Sequence, residues 1–179
     1  SPGRGVDSTF VDAGGPTTIT AQGGGVSGWY DTNNGLGYPG GSGGGGGYPA
    51  KPGGTGTQPT LNPGVSGLLQ YGNPGGQMGS PEGGSSYDYG GGGGAGAAGT
   101  PGNGPVTPAP DSGAGGDGQP FSGFPGALPA FSPLPSAWKT AVAPQGYFGG
   151  GGGGGTYDGL NPAGSMPGGL GGGGNGGTT

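Results

Sequence analysis

The 179-residue chain contains no cysteine and no histidine. Without cysteine there are neither disulfides nor thiolate chemistry. Without histidine, the Ser-His-Asp, Cys-His and His-Glu-x-x-His constellations cannot be assembled, nor can an ordinary zinc site. Charge is equally scarce at 6% of residues, with Arg4, Lys51 and Lys139 against seven aspartates and Glu82, for a net charge of −5. No basic patch exists to follow phosphates, so nucleic acid is excluded as a partner. The chain also lacks the high net charge of a solvated disordered tail. Its longest apolar stretches, such as residues 141–143, fall far short of the roughly 20 residues that span a bilayer, which argues against membrane insertion. No signal peptide is visible, and a start at Ser1 without Met suggests a processed chain or a piece of a longer one. Apolar residues make up only 26%, too few for an ordinary core.

The acidic residues do not rescue catalysis. Asp7, Asp12, Asp31, Asp88, Asp111, Asp117 and Asp158 are dispersed, with no calcium-loop spacing, and Asp88 lies too near a Tyr/Gly segment to suggest a preorganised carboxylate pair with Glu82, the only glutamate. They read as turn formers that bond their own local backbone. Gly-x-Gly-x-x-Gly recurs, but at this glycine content it arises by chance and no strand-helix-strand context accompanies it. The chain reads as a non-enzyme without cofactor or metal.

What the chain has is backbone. It carries 61 glycines and 21 prolines, together nearly half of its residues. Such a share usually marks a low-complexity, disordered segment. Glycine loses more freedom on ordering than any other residue, so an ordered form needs a regular compensation. Side-chain burial cannot supply it, which leaves N–H and C=O groups brought close together.

Along the chain, residues 1–22 differ from the rest. The stretch 7–22 has two short Thr-, Val-, Phe- and Ile-containing runs around Gly14-Gly15-Pro16, the pattern of strands flanking a turn. It suits attachment or edge pairing. From Gly23 to Thr179, glycine runs at 43–47, 90–94, 149–155 and 171–174 alternate with Pro, Asn, Ser and Tyr clusters. Aromatic residues recur beside them, at Tyr38, Tyr89 and Phe148 before runs and Tyr48 and Tyr157 after, as if marking rod ends. The repeat has no fixed period of the solenoid kind. Residues 119–144 form a Pro- and aromatic-rich insert, in which only residues 136–142 could make a helical turn before Pro144 stops it.

Collagen requires glycine at every third position, and residues 47–67 break that register. Consecutive β-sheet suits neither glycine nor proline. The expected fold therefore has little regular α or β structure. It is a bundle or sandwich of polyglycine II helices, left-handed with three residues per turn and bonded between neighbours, preceded by a short N-terminal strand-like segment. Cα–H···O contacts would add to the N–H···O bonds. A run inside such a bundle tolerates no Cβ, so Gly152→Val is expected to be severely destabilising if residues 149–155 are interior.

The segments 19–25, 40–48, 90–99, 147–157 and 168–177 (ITAQGGG, GGSGGGGGY, GGGGGAGAAG, YFGGGGGGGTY and GGLGGGGNGG) resemble the glycine-rich domains of bacteriophage tail-fibre and adhesin proteins. The resemblance covers most of the chain after residue 7. It implies a polyglycine II sandwich whose loops at one end carry receptor specificity. Snow flea antifreeze proteins share that architecture but are less similar, since their tripeptide periodicity and disulfides are absent.

The resulting expectation is a non-catalytic structural or adhesion module at a virion surface or outside the cell. Its partners would be a host-surface receptor, glycan or protein, or neighbouring subunits of one assembly, copies of itself included. Candidate binding-loop residues are Trp29, Tyr30, Tyr87, Tyr89, Phe121, Phe124, Phe131, Trp138, Tyr147 and Tyr157, because rigid amphipathic aromatics give contact area at low entropy cost. The plainer alternative is that they cap the rods. A repeating subunit of a filament or virion shell is the second function, and ice binding through Thr9, Thr17, Thr18 and Thr20 a distant third. No Asn-x-Ser/Thr sequon is present; O-linked sugars at 55–60 and 100–108 would leave no mark in the sequence.

Overall fold

The computed structural model describes residues 4–11, 18–29, 33–58, 69–79, 87–103, 112–121, 146–156 and 166–177. Regular secondary structure is sparse among them. The strands β1 (Ser8–Val11) and β2 (Thr18–Ala21) pair antiparallel, with Ser8 opposite Ala21 and Val11 opposite Thr18. The two-residue strands β3 (Gln119–Pro120) and β4 (Tyr147–Phe148) pair antiparallel at the base of the 119–144 insert. One 3₁₀ turn spans Asn33–Gly35, and no α-helix occurs among the described residues. The Gly14–Pro16 turn, the 136–142 helical turn and most of the insert lie outside them.

The remaining described chain is held by backbone bonds between runs, and their pattern repeats every three residues. In the run 43–47, the N–H groups of Gly43 and Gly46 donate to the carbonyls of Asn73 and Gly76 at 2.9 and 2.8 Å. Those of Gly44 and Gly47 donate to Tyr38 and Gly35. In return, the carbonyls of Ser42 and Gly45 accept from Gly25 and Gly28, and those of Gly43 and Gly46 from Gly93 and Gly90. The Gly44 carbonyl accepts from Gly54. One run is thus bonded to five others. A β-strand cannot do this, because its period of two directs backbone groups to two edges only.

The same step recurs elsewhere. In the run 89–95, Tyr89, Gly92 and Ala95 donate to Gly155, Gly152 and Gly149, while Gly90 and Gly93 donate back to Gly46 and Gly43. In the run 150–156, Gly150, Gly153 and Thr156 donate to Gly171, Gly174 and Gly177, and Gly151 and Gly154 to Gly116 and Gly113. Each bond contributes only about 1 kcal/mol net, so stability comes from their number.

This packing explains the glycines. A Cβ on Gly45 would overlap the carbonyl oxygen of Gly90, and one on Gly151 that of Gly92. Reversals use glycine differently: Gly171 and Gly172, at φ 93° and 101°, turn the chain between residues 166–170 and 173–177. Among the described residues an apolar core is nearly absent. Met78, 1% exposed, is the one large apolar side chain buried among the described residues.

Polar side chains fasten the run ends. Asn73 Nδ2 donates to the carbonyls of Gly94 and Ala95, both at 3.0 Å, and buried Ser112 Oγ donates to Gly155 O at 2.6 Å. Asp117 Oδ1 accepts from the N–H of Leu170 at 2.9 Å, and Asp7 Oδ1 from Gly23 at 3.0 Å. These two aspartates therefore tie distant runs together, in place of the local turn role expected of them.

Candidate functional site

The aromatic side chains gather at the two opposite ends of the runs. Tyr48 follows the run 43–47, and Tyr87 precedes the run 89–95, whose Gly90 pairs with Gly46. Their rings meet edge to face with centroids 4.8 Å apart. Trp29 and Tyr89 lie at this same end and line one cavity with Gly28 and Gly90. Trp29 is 54% exposed, so much of its indole is available to a partner.

At the other end, Phe148 precedes the run that meets Ala95. Phe121 lies 6.0 Å from Phe148 and 6.2 Å from Tyr71, centroid to centroid. The strands β3 and β4 and the bond from Phe121 N–H to Gly146 O, 3.1 Å, bring this trio to the base of the insert. Tyr147, half-buried, sits on β4 opposite Pro120.

Of the sequence-predicted site residues, Trp29, Tyr87, Tyr89, Phe121 and Tyr147 are thus located, divided between two ends. Tyr30, Phe124, Phe131, Trp138 and Tyr157 lie outside the described residues. Tyr71 and Phe148 belong to the second aromatic group, and residue type alone would have picked them. Tyr38 departs from the end-marking pattern: its N–H bonds to Val26 and its carbonyl accepts from Gly44, within the body of the bundle. In the hairpin register Thr9 faces Thr20 and Thr18 faces Val11, which places these three threonines and Val11 on one face of the two strands. Thr17 lies outside the described residues.

A groove runs between the residues 21–29, 41–44, 89–95 and 149–156. It consists of two adjoining cavities of about 590 and 420 Å³ that share Ser27 and Gly153. Most of its lining residues are glycines, with Gln22, Gln58 and Tyr71 on the larger cavity and Val26, Trp29 and Tyr89 on the smaller. Among the described residues no cluster of acidic side chains could hold a metal ion, and no helix is long and apolar enough to cross a membrane. Among its described lining residues the groove offers backbone donors and acceptors and the hydroxyl residues Ser27, Ser42 and Thr156, with no carboxylate side chain.

Compared with known proteins, the chain matches no family model, no curated protein and no solved structure.

Proposed function

We propose that the chain is a non-catalytic adhesion or structural module: a stiff bundle of polyglycine II helices at a virion surface, of the tail-fibre kind, that presents receptor-binding loops. The observation that carries this reading is the three-residue step of the backbone bonds, with the run 43–47 held from five sides. That step is the turn of a polyglycine II helix. A scaffold bonded through its backbone leaves its loops free to vary in sequence. The 119–144 insert is the loop best suited to receptor contact, since it is rich in Pro and aromatics and rooted on the β3–β4 pair and the Phe121–Phe148 contact.

The test replaces residues 122–145 by a short Gly-Ser bridge, keeping the Phe121–Gly146 bond. Binding to bacterial cells and to a glycan array should disappear while the thermal melting curve is kept. Undiminished binding to a surface recognised by the parent chain would sink the assignment of this loop.

A filament or shell subunit is the second reading. It draws on the β1–β2 hairpin, where Phe10 is 66% exposed and Val11 is exposed beside it. Filaments of the isolated chain in electron micrographs would favour it over a terminal adhesin.

A further inference from the structure

The run 43–47 has bonded neighbours on five sides; its sixth side is the groove. N–H groups at 43 and 46 point one way, those at 44 and 47 another. By the same three-residue phase, a third direction belongs to 42 and 45, whose N–H groups bond to nothing. The neighbouring run 89–95 shows the complement. Its carbonyls at 88, 91 and 94 serve residues 79, 76 and 73, and those at 89 and 92 serve 113 and 116, while those of Gly90 and Gly93 accept no bond.

The two outer walls continue the pattern. On one, the carbonyls of Gly25 and Gly28 accept nothing; on the other, the N–H groups of Gly152 and Gly155 donate nothing. Passing around the groove, the rows read acceptor (Gly25, Gly28), donor (Ser42), acceptor (Gly90, Gly93), donor (Gly152, Gly155). Each of these residues lines the groove. Alternating donor and acceptor rows at a three-residue step are what the run 43–47 meets from its own neighbours.

The groove floor carries a second sign. Residues 89, 92 and 95 share one phase, and Tyr89 and Ala95 both line the groove. Between them a Cβ on Gly92 would lie 3.4 Å from Gly152 N and 3.5 Å from Gly152 O, ordinary contact distances, so a methyl group is accommodated there without overlap. Tyr89 lines the groove at one end of this span, with its Cε1 3.2 Å from the position of a Cβ on Gly47. From residue 89 to 95 an extended three-fold helix advances roughly 19 Å at about 3.1 Å per residue.

We infer that this groove is a binding site for one further extended glycine-rich segment, supplied by a partner chain and bonded through its backbone to these four rows. The segment needs glycine at two of every three positions, because it meets four runs at backbone distance; the third position faces solvent and can carry a side chain. About six residues fit between Ala95 and Tyr89. Recognition of this kind is the three-fold counterpart of strand addition to a sheet edge, with main-chain bonds giving affinity. It rests on the three-fold packing of the runs, and not on contact with a host surface.

The experiment titrates the full chain with a synthetic (Gly-Gly-Asn)₄ peptide and follows amide exchange and NMR shifts. Saturable binding at millimolar peptide or below, with protection of the Ser42, Gly152 and Gly155 amides, is expected. The same peptide built with N-methylglycine lacks the donors, and one with Ala for Gly lacks the fit; both should bind at least tenfold more weakly. Gly92→Ala and Gly92→Val place a side chain on the groove floor and should weaken binding tenfold or more, with Gly92→Ala leaving the melting curve unshifted. Gly174→Val, at a position with nothing within 4 Å of its Cβ and outside the groove lining, should bind as the parent does. No protection of those three amides at saturation, or binding indifferent to N-methylation or to Gly92→Val, overturns the proposal. Dimerisation abolished by Gly92→Val overturns the choice of partner in favour of a second copy. Host-surface binding retained by Gly92→Val while peptide binding is lost separates this site from the adhesion reading.

Discussion

Gly43 and Gly54 meet backbone to backbone: a Cβ on Gly43 would overlap the Gly54 carbonyl oxygen. Gly54 in turn donates its N–H to Gly44 at 2.7 Å. The two runs therefore cannot separate to admit a methyl group without losing bonds on other sides of 43–47. Gly43→Ala should lower stability by about 3 kcal/mol or more, since overpacking adds to the broken bonds. At Gly174, with open space around the Cβ position, the same change should be neutral or raise stability by up to about 1 kcal/mol through the unfolded chain. Thermal melts of the two variants read the difference directly.

Within the run 149–155, tolerance should differ sharply between Gly152 and its neighbours. A Cβ on Gly151, Gly153 or Gly154 would overlap a carbonyl oxygen of Gly92, Met166 or Tyr89, respectively. On Gly152 it would find only the Gly174 oxygen, at 3.8 Å. The severe effect expected of Gly152→Val for an interior run therefore falls on its neighbours, because Gly152 alone in this run faces open space, whereas a Cβ on Gly155, in the same phase, would meet the Gly177 oxygen at 2.7 Å. An alanine scan should show Gly152→Ala melting within a few degrees of the parent and the other three far below it. Uniform sensitivity, or uniform tolerance, would contradict the packing.

These two cases show what the sequence makes legible. Glycine content and the missing core point to backbone bonding, and the Thr- and Phe-containing runs at 7–22 coincide with β1 and β2. The phase of each run is not legible, because uninterrupted glycines carry no mark of which side faces a neighbour. Side chains betray it only where a run is interrupted, as at Tyr89 and Ala95. The groove was invisible for the same reason, since most of its lining residues are glycines from four separate runs. Aromatic residue type found the run ends but not their division, which depends on which runs lie antiparallel.

The heat capacity of unfolding should be unusually small. Apolar exposure raises it and polar exposure lowers it, and ordinary domains settle near 12–15 cal/mol/K per residue. Here unfolding releases mainly peptide groups, with Met78 the one large buried apolar side chain among the described residues. Scanning calorimetry at several pH values should give a value clearly below that range. Met78→Ala should still cost about 2 kcal/mol, since the cavity it leaves is ringed by fixed backbone.

Asn73 offers a test of the polar ties in which charge and hydrogen bonding separate. Its Nδ2 donates to two carbonyls, Gly94 and Ala95, while its own carbonyl accepts from Gly43 at 2.9 Å. Asn73→Ala removes two donors' worth of bonding and should cost roughly 1–2 kcal/mol. Asn73→Asp is expected to cost more at neutral pH, because an ionised carboxylate would face two carbonyl oxygens that it cannot bond. That environment disfavours the charged form, so the new group's pKa should be raised in the folded state over its unfolded value near 3.9. The folded variant then holds its proton more tightly than the unfolded chain does. By linkage its deficit relative to the parent should be full above the raised pKa and shrink as pH falls through it. Urea melts of parent and variant between pH 7 and pH 3 give that difference; a deficit independent of pH would mean that residue 73 does not face the Gly94 and Ala95 carbonyls.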